Sequence, residues 1–212
     1  MSIRWAAIVA ALFLAFSGAA RAQDRGFYLG AGAGQSKALE PVDCSEGFDL
    51  NFPFTCNSHN DTATGWKAFG GYQFSKYLAA EAGYFDLGKF KTSATGLFMG
   101  FGGSTVTTQF HPTGFNVDAV GTLPIGEGFG LLARIGLFHW TLKSEINVDT
   151  IAVSSSETTS GTNVDFGLGA KWDFARNVGA RVEWQRFAKI GGGDTGKSDV
   201  DLISLSLLYR FN

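Results

Sequence analysis

The chain has 212 residues, a formal net charge of −2, 29 glycines against 4 prolines, and 14% aromatic residues, of which 20 are phenylalanine. Such a balance argues against a nucleic-acid binder, which needs a basic face, and against low-complexity disorder, which is poor in aromatics. It suits twisted, closely packed strands.

The first segment reads as a leader. Arg4 precedes the apolar run "WAAIVAALFLAF", and Ala20-Arg21-Ala22 has the small-x-small form of a signal cleavage site. The run is shorter than the ~20 residues that a membrane span requires, although an uncleaved anchor is the alternative. The expected organisation is a cleaved signal peptide at 1–22 and a single domain at 23–212, with a net charge near −4 once Arg4 and Arg21 are gone. Export implies an oxidising compartment. Cys44 and Cys56, in a polar, proline-containing segment, are therefore expected to form a disulfide. A metal site there would need more ligands than the nearby His59.

Beyond the leader the dominant signal is alternation. Eight segments carry it: 26–35, 65–74, 77–87, 113–123, 129–142, 163–174, 178–187 and 200–211. In "VDFGLGAKWDF", Val164, Phe166, Leu168, Ala170, Trp172 and Phe174 alternate with Asp165, Gly167, Gly169, Lys171 and Asp173. A helix would scatter these side chains, whereas a strand sorts them onto two faces. Most segments are about ten residues, the length of a tilted strand crossing a bilayer. Tight turns ("SK", "PIGEGF", "ARN") alternate with long connections at 36–64, 88–112, 143–162 and 188–199, predicted to be bare of regular structure. Short on one side and long on the other is the pattern of an outer-membrane barrel with an even strand count.

Each segment has one apolar row and one row of charges and glycines. In 65–74, Trp66, Ala68, Gly70, Tyr72 and Phe74 oppose Lys67, Phe69, Gly71 and Gln73. A soluble, lipocalin-type barrel would turn the apolar row inward, and a membrane barrel turns it toward lipid. Two details favour lipid. The charged rows are rich in glycine, which suits a narrow interior filled by long side chains. The apolar rows place Trp66, Phe74, Tyr84, Trp172, Tyr209 and Phe211 near strand ends, as expected for aromatic girdles at the two interfaces. Lys67, Glu81, Asp118, Arg134, Lys171, Arg181 and Glu183 are then predicted to point into the lumen. Charges in so confined a space must be paired. A structural ion-pair plug is the first reading of them, and a gate with exchanging partners is the second.

Other motifs carry less. "GGGDTGKS" at 191–198 matches the phosphate-loop pattern, but that chemistry needs a helix to follow, and "DVDLISLSLLYRFN" alternates as a strand. "GAGAG" at 30–34 has no βαβ unit after it, and Gly30, Gly32 and Gly34 are expected to leave room on the lumen face. His59 and His111 fall in predicted loops and His139 on an outward row. A hydrolase would need a serine–histidine pair within reach. His111 with Ser104 is the one combination to consider, and no enzyme activity or cofactor is expected.

"TGWKAFGGYQFSKYLAAEAGYFDLG", "RIGLFHW", "ARVEWQ" and the terminal "LSLLYRF" resemble the OmpA-like transmembrane β-barrel family, over essentially the whole of 23–212. The resemblance implies an all-β, eight-stranded antiparallel up-and-down barrel in the outer membrane of a Gram-negative bacterium, with periplasmic termini and four extracellular loops. It implies roles in envelope integrity, adhesion and host interaction, and in some members weak ion conduction. Glu81, Arg134, Arg181 and Glu183 match acidic and basic lumen residues of the family, while Val120 stands where a lysine is usual and Lys171 where a glutamate is usual. The family's gate is therefore not intact, and Glu81 is expected to pair with Arg181 or Lys171. Phe211 is the expected aromatic terminus read by the barrel assembly machinery, although Asn212 follows it. A barrel-only member is expected, since no peptidoglycan-binding segment is visible. The expected surroundings are outer-membrane lipid and lipopolysaccharide, with a host or surface partner at the loops and no nucleotide. The expected function is structural and surface-interacting, with a small gated pore as the alternative and a lipid-modifying enzyme less favoured.

Overall fold

The computed structural model of the protein describes residues 25–39, 54–98, 101–148, 153–192 and 197–211. The predicted leader, Cys44 and the side chain of Cys56 fall outside the described residues, and with them the predicted Cys44–Cys56 bridge. The strands are β1 (Gly26–Ala38), β2 (Phe54–Asn60), β3 (Thr62–Ser75), β4 (Leu78–Asp86), β5 (Phe90–Phe98), β6 (Phe101–Pro124), β7 (Phe129–Val148), β8 (Val153–Trp172), β9 (Val178–Ile190) and β10 (Ser198–Arg210). Eight of them form a closed antiparallel ring, in the order β6-β4-β3-β1-β10-β9-β8-β7, and β7 pairs back onto β6. Closure removes every edge along the ring, which is what a sheet in hydrocarbon requires. The seam joins the first strand to the last, from Tyr28 opposite Arg210 to Ala38 opposite Val200.

Three tight connections lie at one end of the ring. Lys76-Tyr77 joins β3 to β4, 125–128 joins β6 to β7, and 173–177 joins β8 to β9. The second uses Gly128 at φ 79°, a backbone angle that a side chain would strain. Its carbonyl accepts a hydrogen bond from the Asp173 N–H at 2.7 Å, tying this turn to the next.

All eight predicted strands are present, and three of them continue well past their predicted ends. β6 has 24 residues, and β7 and β8 have 20 each. The connections expected at 88–112 and 143–162 are therefore largely strand rather than bare loop. β7 and β8 stay in register from Phe129–Trp172 up to Val148–Val153. β5 pairs with the upper part of β6, and β2 with β5, so the sheet fans out above the ring. The cause of the miss is chemical. Segments such as "SSSETTSGT" are polar on both faces, so period-two alternation vanishes while β-branched threonine still favours strand.

The ring is apolar outside and mixed inside. Ile203, Leu205 and Leu207 are 59%, 58% and 61% exposed on the outer wall, while Ser204 and Ser206 between them are buried. Aromatic side chains gather at two levels of that wall. At the turn end Phe129 stacks on Trp172 at 5.5 Å and Tyr209 meets Phe211 at 5.1 Å, with Phe74 against Tyr72 at 5.2 Å. Toward the loop end Trp66 contacts Tyr84, and Tyr84 contacts Phe115.

Candidate functional site

The lumen has three layers, each set by a change in the inward-facing row. Nearest the turns it is apolar: Ala79, Val120, Leu132 and Leu208 pack with the aromatic parts of Tyr28 and Phe69. Val120, which departs from the usual lysine, belongs to this layer. Gly30 faces Phe69 across β1 and β3, and a side chain at Gly30 would strike the Phe69 ring.

The middle layer is ionic. Arg134 on β7 is its hub. Its guanidinium donates from Nη1 to Glu183 at 2.9 Å, from Nη2 to Glu81 at 3.1 Å, and from Nε to Asp118 at 2.9 Å. Arg181 donates to Glu81 at 2.8 Å and lies 3.6 Å from Glu183. Lys67 donates to Glu183 at 2.7 Å and to Gln185 at 3.4 Å. The Tyr28 hydroxyl donates to Glu81 at 2.6 Å. Lys67 and Arg181 also sit over the Phe69 ring, at 5.7 and 5.1 Å from its centroid. Lys67, Glu81, Asp118, Arg134, Arg181 and Glu183 are all at most 5% exposed. Ions this deeply removed from water persist only when paired and hydrogen-bonded, and the fork of Arg134 is suited to holding several carboxylates at once.

Lys171 stands apart from these six. It points inward but lies at the turn end, 3.4 Å from Asp173, which also accepts from Arg210 at 2.6 Å. Glu81 therefore takes Arg181 and Arg134 as partners, and its expected alternative, Lys171, is paired elsewhere. Four polar residues join the middle layer that the predicted set did not include: Asn116, Asp165, Gln185 and Tyr28, each buried. Asp165 and Gln185 lie on the same alternating rows as Lys171 and Glu183, and that signal was sufficient to find them. Tyr28 carried no signal beyond its place in the row of Gly30.

Above the ions the lumen becomes apolar again. Phe85, Phe138 and Phe187 meet at ring separations of 4.4, 5.2 and 5.9 Å. Leu87, Phe90, Trp140, Leu142, Ile190, Val200 and Leu202 continue this cluster toward the loop end. The Trp140 indole N–H donates to Asn163 at 2.9 Å, so its polar edge is satisfied.

The described histidine side chains lie outside this lumen set. His111 Nε2 is 2.9 Å from Asp86, and His139 Nδ1 is 2.9 Å from the Thr162 hydroxyl. The partner of His111 is thus a carboxylate, and the side chain of Ser104 is outside the described residues. Among the described residues no three His, Cys, Asp or Glu side chains converge as metal ligands. "GGGDTGKS" leads directly into β10, a strand, where phosphate-loop chemistry requires a helix N-terminus.

Comparisons with known proteins agree with the closed ring. The family model for the OmpA-like transmembrane domain matches residues 22–212. The chain is 30% identical over 191 residues to outer membrane protein A of Klebsiella pneumoniae, covering 89% of this chain and 52% of that protein. It is 26% identical over 169 residues to outer membrane protein A of Escherichia fergusonii, covering 79% and 46%. The chain thus spans about half the length of the curated relatives it matches. Among solved structures, Neisserial surface protein A superposes with a TM-score of 0.53 at 15% identity, covering 88% of this chain and 97% of that one, and shares the fold. With lipid-facing apolar rows, two aromatic levels and a paired ionic interior, the chain belongs to the OmpA-like transmembrane domain family and is an eight-stranded β-barrel of the Gram-negative outer membrane.

Proposed function

We propose that the protein is a sealed outer-membrane scaffold that presents an extended β-surface to the cell exterior, and that it is not an ion-conducting pore. The observation that carries this reading is the Phe85–Phe138–Phe187 cluster above the ion network. A gate of exchanging salt bridges conducts only if water reaches both sides of it, and this apolar layer stands between the ions and the exterior. The prolonged β6, β7 and β8, with β2 and β5 beside them, hold surface residues in place for a host or surface partner. Binding residues concentrate in such segments when a rigid frame positions them.

The outer wall above the aromatics supports contact with anionic lipid. Lys37 is neutralised by Asp61 and Arg186 by Asp201. Lys91 and Lys143 on the β5–β7 side are exposed, and among the described residues neither has an ion-pair partner. Lipopolysaccharide phosphates fit that sector. The terminal strand and Phe211 fit recognition by the barrel assembly machinery.

Planar-bilayer recording tests the sealed reading: the purified protein is expected to give no discrete current steps. Regular steps whose size changes in Glu81→Gln would replace it with the small-pore reading. Attachment of bacteria to an epithelial monolayer tests the presentation role. Shortening the β7–β8 extension to a tight turn is expected to reduce attachment while heat-modifiable gel mobility persists, and unchanged attachment would remove that role.

A further inference from the structure

The middle layer is not electrically balanced. Among the described residues it holds three cations, Lys67, Arg134 and Arg181, and four carboxylates, Glu81, Asp118, Asp165 and Glu183. The three cations serve Glu81, Asp118 and Glu183. Asp165 is 0% exposed and contacts none of them, accepting only from the Gln185 amide at 2.5 Å. A fully buried carboxylate without a counter-charge is far costlier than the same group protonated.

Its neighbour is another carboxylate. Across three adjacent strands, Asp118 on β6 lies opposite Gly136 on β7, and Gly136 lies opposite Asp165 on β8. Gly136 has no side chain to separate them, and a Cβ there would collide with Asp118 Oδ1. Asp118 Oδ1 therefore leans over β7 toward Asp165, with no side chain between the two carboxyl groups. The far oxygen of each is committed: Asp118 Oδ2 accepts from Arg134 Nε at 2.9 Å and Asn116 at 2.7 Å, and Asp165 Oδ2 from Gln185. The near oxygens, Asp118 Oδ1 and Asp165 Oδ1, are buried with no hydrogen-bond partner.

We propose that Asp118 and Asp165 form a site for one shared proton, bridging the two carboxyl groups over Gly136. Two carboxylates that share a site cannot both stay ionised, and one proton between them satisfies both orphan oxygens and removes the excess charge. A metal ion is a poorer fit. The surrounding groups on β7, β6 and β9 (Arg134, Asn116 and Gln185) all aim N–H donors at the pair, and Lys67 and Arg181 add positive charge nearby. Glu81 faces Asp118 from β4 but is held by Arg181, Arg134 and Tyr28, and Glu183 on β9 is held by Lys67 and Arg134. Phe187 lies opposite Asp165 on β9, so the pair sits directly beneath the aromatic layer.

Infrared spectroscopy of the full chain in lipid vesicles at neutral pH tests this, with and without ¹³C at the aspartate carboxyls. The expected result is a protonated-acid carbonyl band worth one group per chain that shifts with the aspartate label. Asp165→Asn and Asp118→Asn should each abolish it while the heat-modifiable barrel form remains. If either variant fails to fold, the isotope shift in the unsubstituted protein still decides. Absence of the band overturns the proposal, as does a band that ignores the aspartate label or survives in both variants. Heat resistance that depends on sodium against choline, with no such band, would replace the proton with a monovalent cation and equally overturn it.

Discussion

The ionic middle of the lumen and the aromatic layer above it fill the same narrow tube by opposite means. In the middle, each side chain depends on particular partners: the one guanidinium of Arg134 reaches Glu81, Asp118 and Glu183 at once. In the upper layer, Phe85, Phe138 and Phe187 depend on shape and volume, and any one ring has several substitutes for its contacts. The lesson concerns fragility. Removing one member of a buried ion network strands the others, whereas trimming one apolar ring leaves a cavity whose cost is graded by how well the site collapses.

Arg134→Ala is the sharpest way to break the comparison. It leaves four buried carboxylates with two cations, Lys67 and Arg181, neither of which reaches Asp118, and a loss of about 5 kcal/mol or failure to insert is expected, at the upper end for a broken buried pair. Urea unfolding in vesicles measures it, and a loss under 1 kcal/mol would mean that water already solvates the network. Phe187→Ala should cost about 3 kcal/mol by the same assay, in line with other buried Phe truncations. Phe187→Leu, which keeps most of the volume, should cost about 1 kcal/mol, and equal losses for the two would deny that volume governs this layer. Trp172→Ala, which removes a stacked partner of Phe129 on the outer wall, should cost about 1 kcal/mol. Lys171→Ala should change stability by less than about 0.5 kcal/mol, because Asp173 keeps its shorter pair with Arg210 when Lys171 is removed. A loss there comparable with that of Arg134→Ala would place Lys171 in the network after all.

The same contrast explains what was legible in the sequence. Alternation marked all eight spanning strands because the solvent differs on their two sides, and it placed Lys67, Glu81, Asp118, Arg134, Arg181 and Glu183 in one lumen. It could not tell height along the barrel, so Lys171 was grouped with ions that it does not reach. It could not distinguish lumen-filling aromatics from girdle aromatics, and Phe85, Phe138 and Phe187 went unremarked as a layer. Beyond the bilayer both faces meet water, the alternation fades, and the upper halves of β6, β7 and β8 read as loop. Asp165 was visible on its row, but its significance is a matter of counting charges across strands that the sequence does not align.

The seam between β1 and β10 has a consequence for biogenesis. Its partners are the first and last strands of the ring, and they pair along 11 positions from Tyr28–Arg210 to Ala38–Val200. A chain interrupted before β10 would leave β1 and β9 with open edges, and each unpaired backbone group facing hydrocarbon costs several kcal/mol. The lipid bilayer thereby acts as a length inspector: a copy that lacks the final strand has no closed ring to place in hydrocarbon.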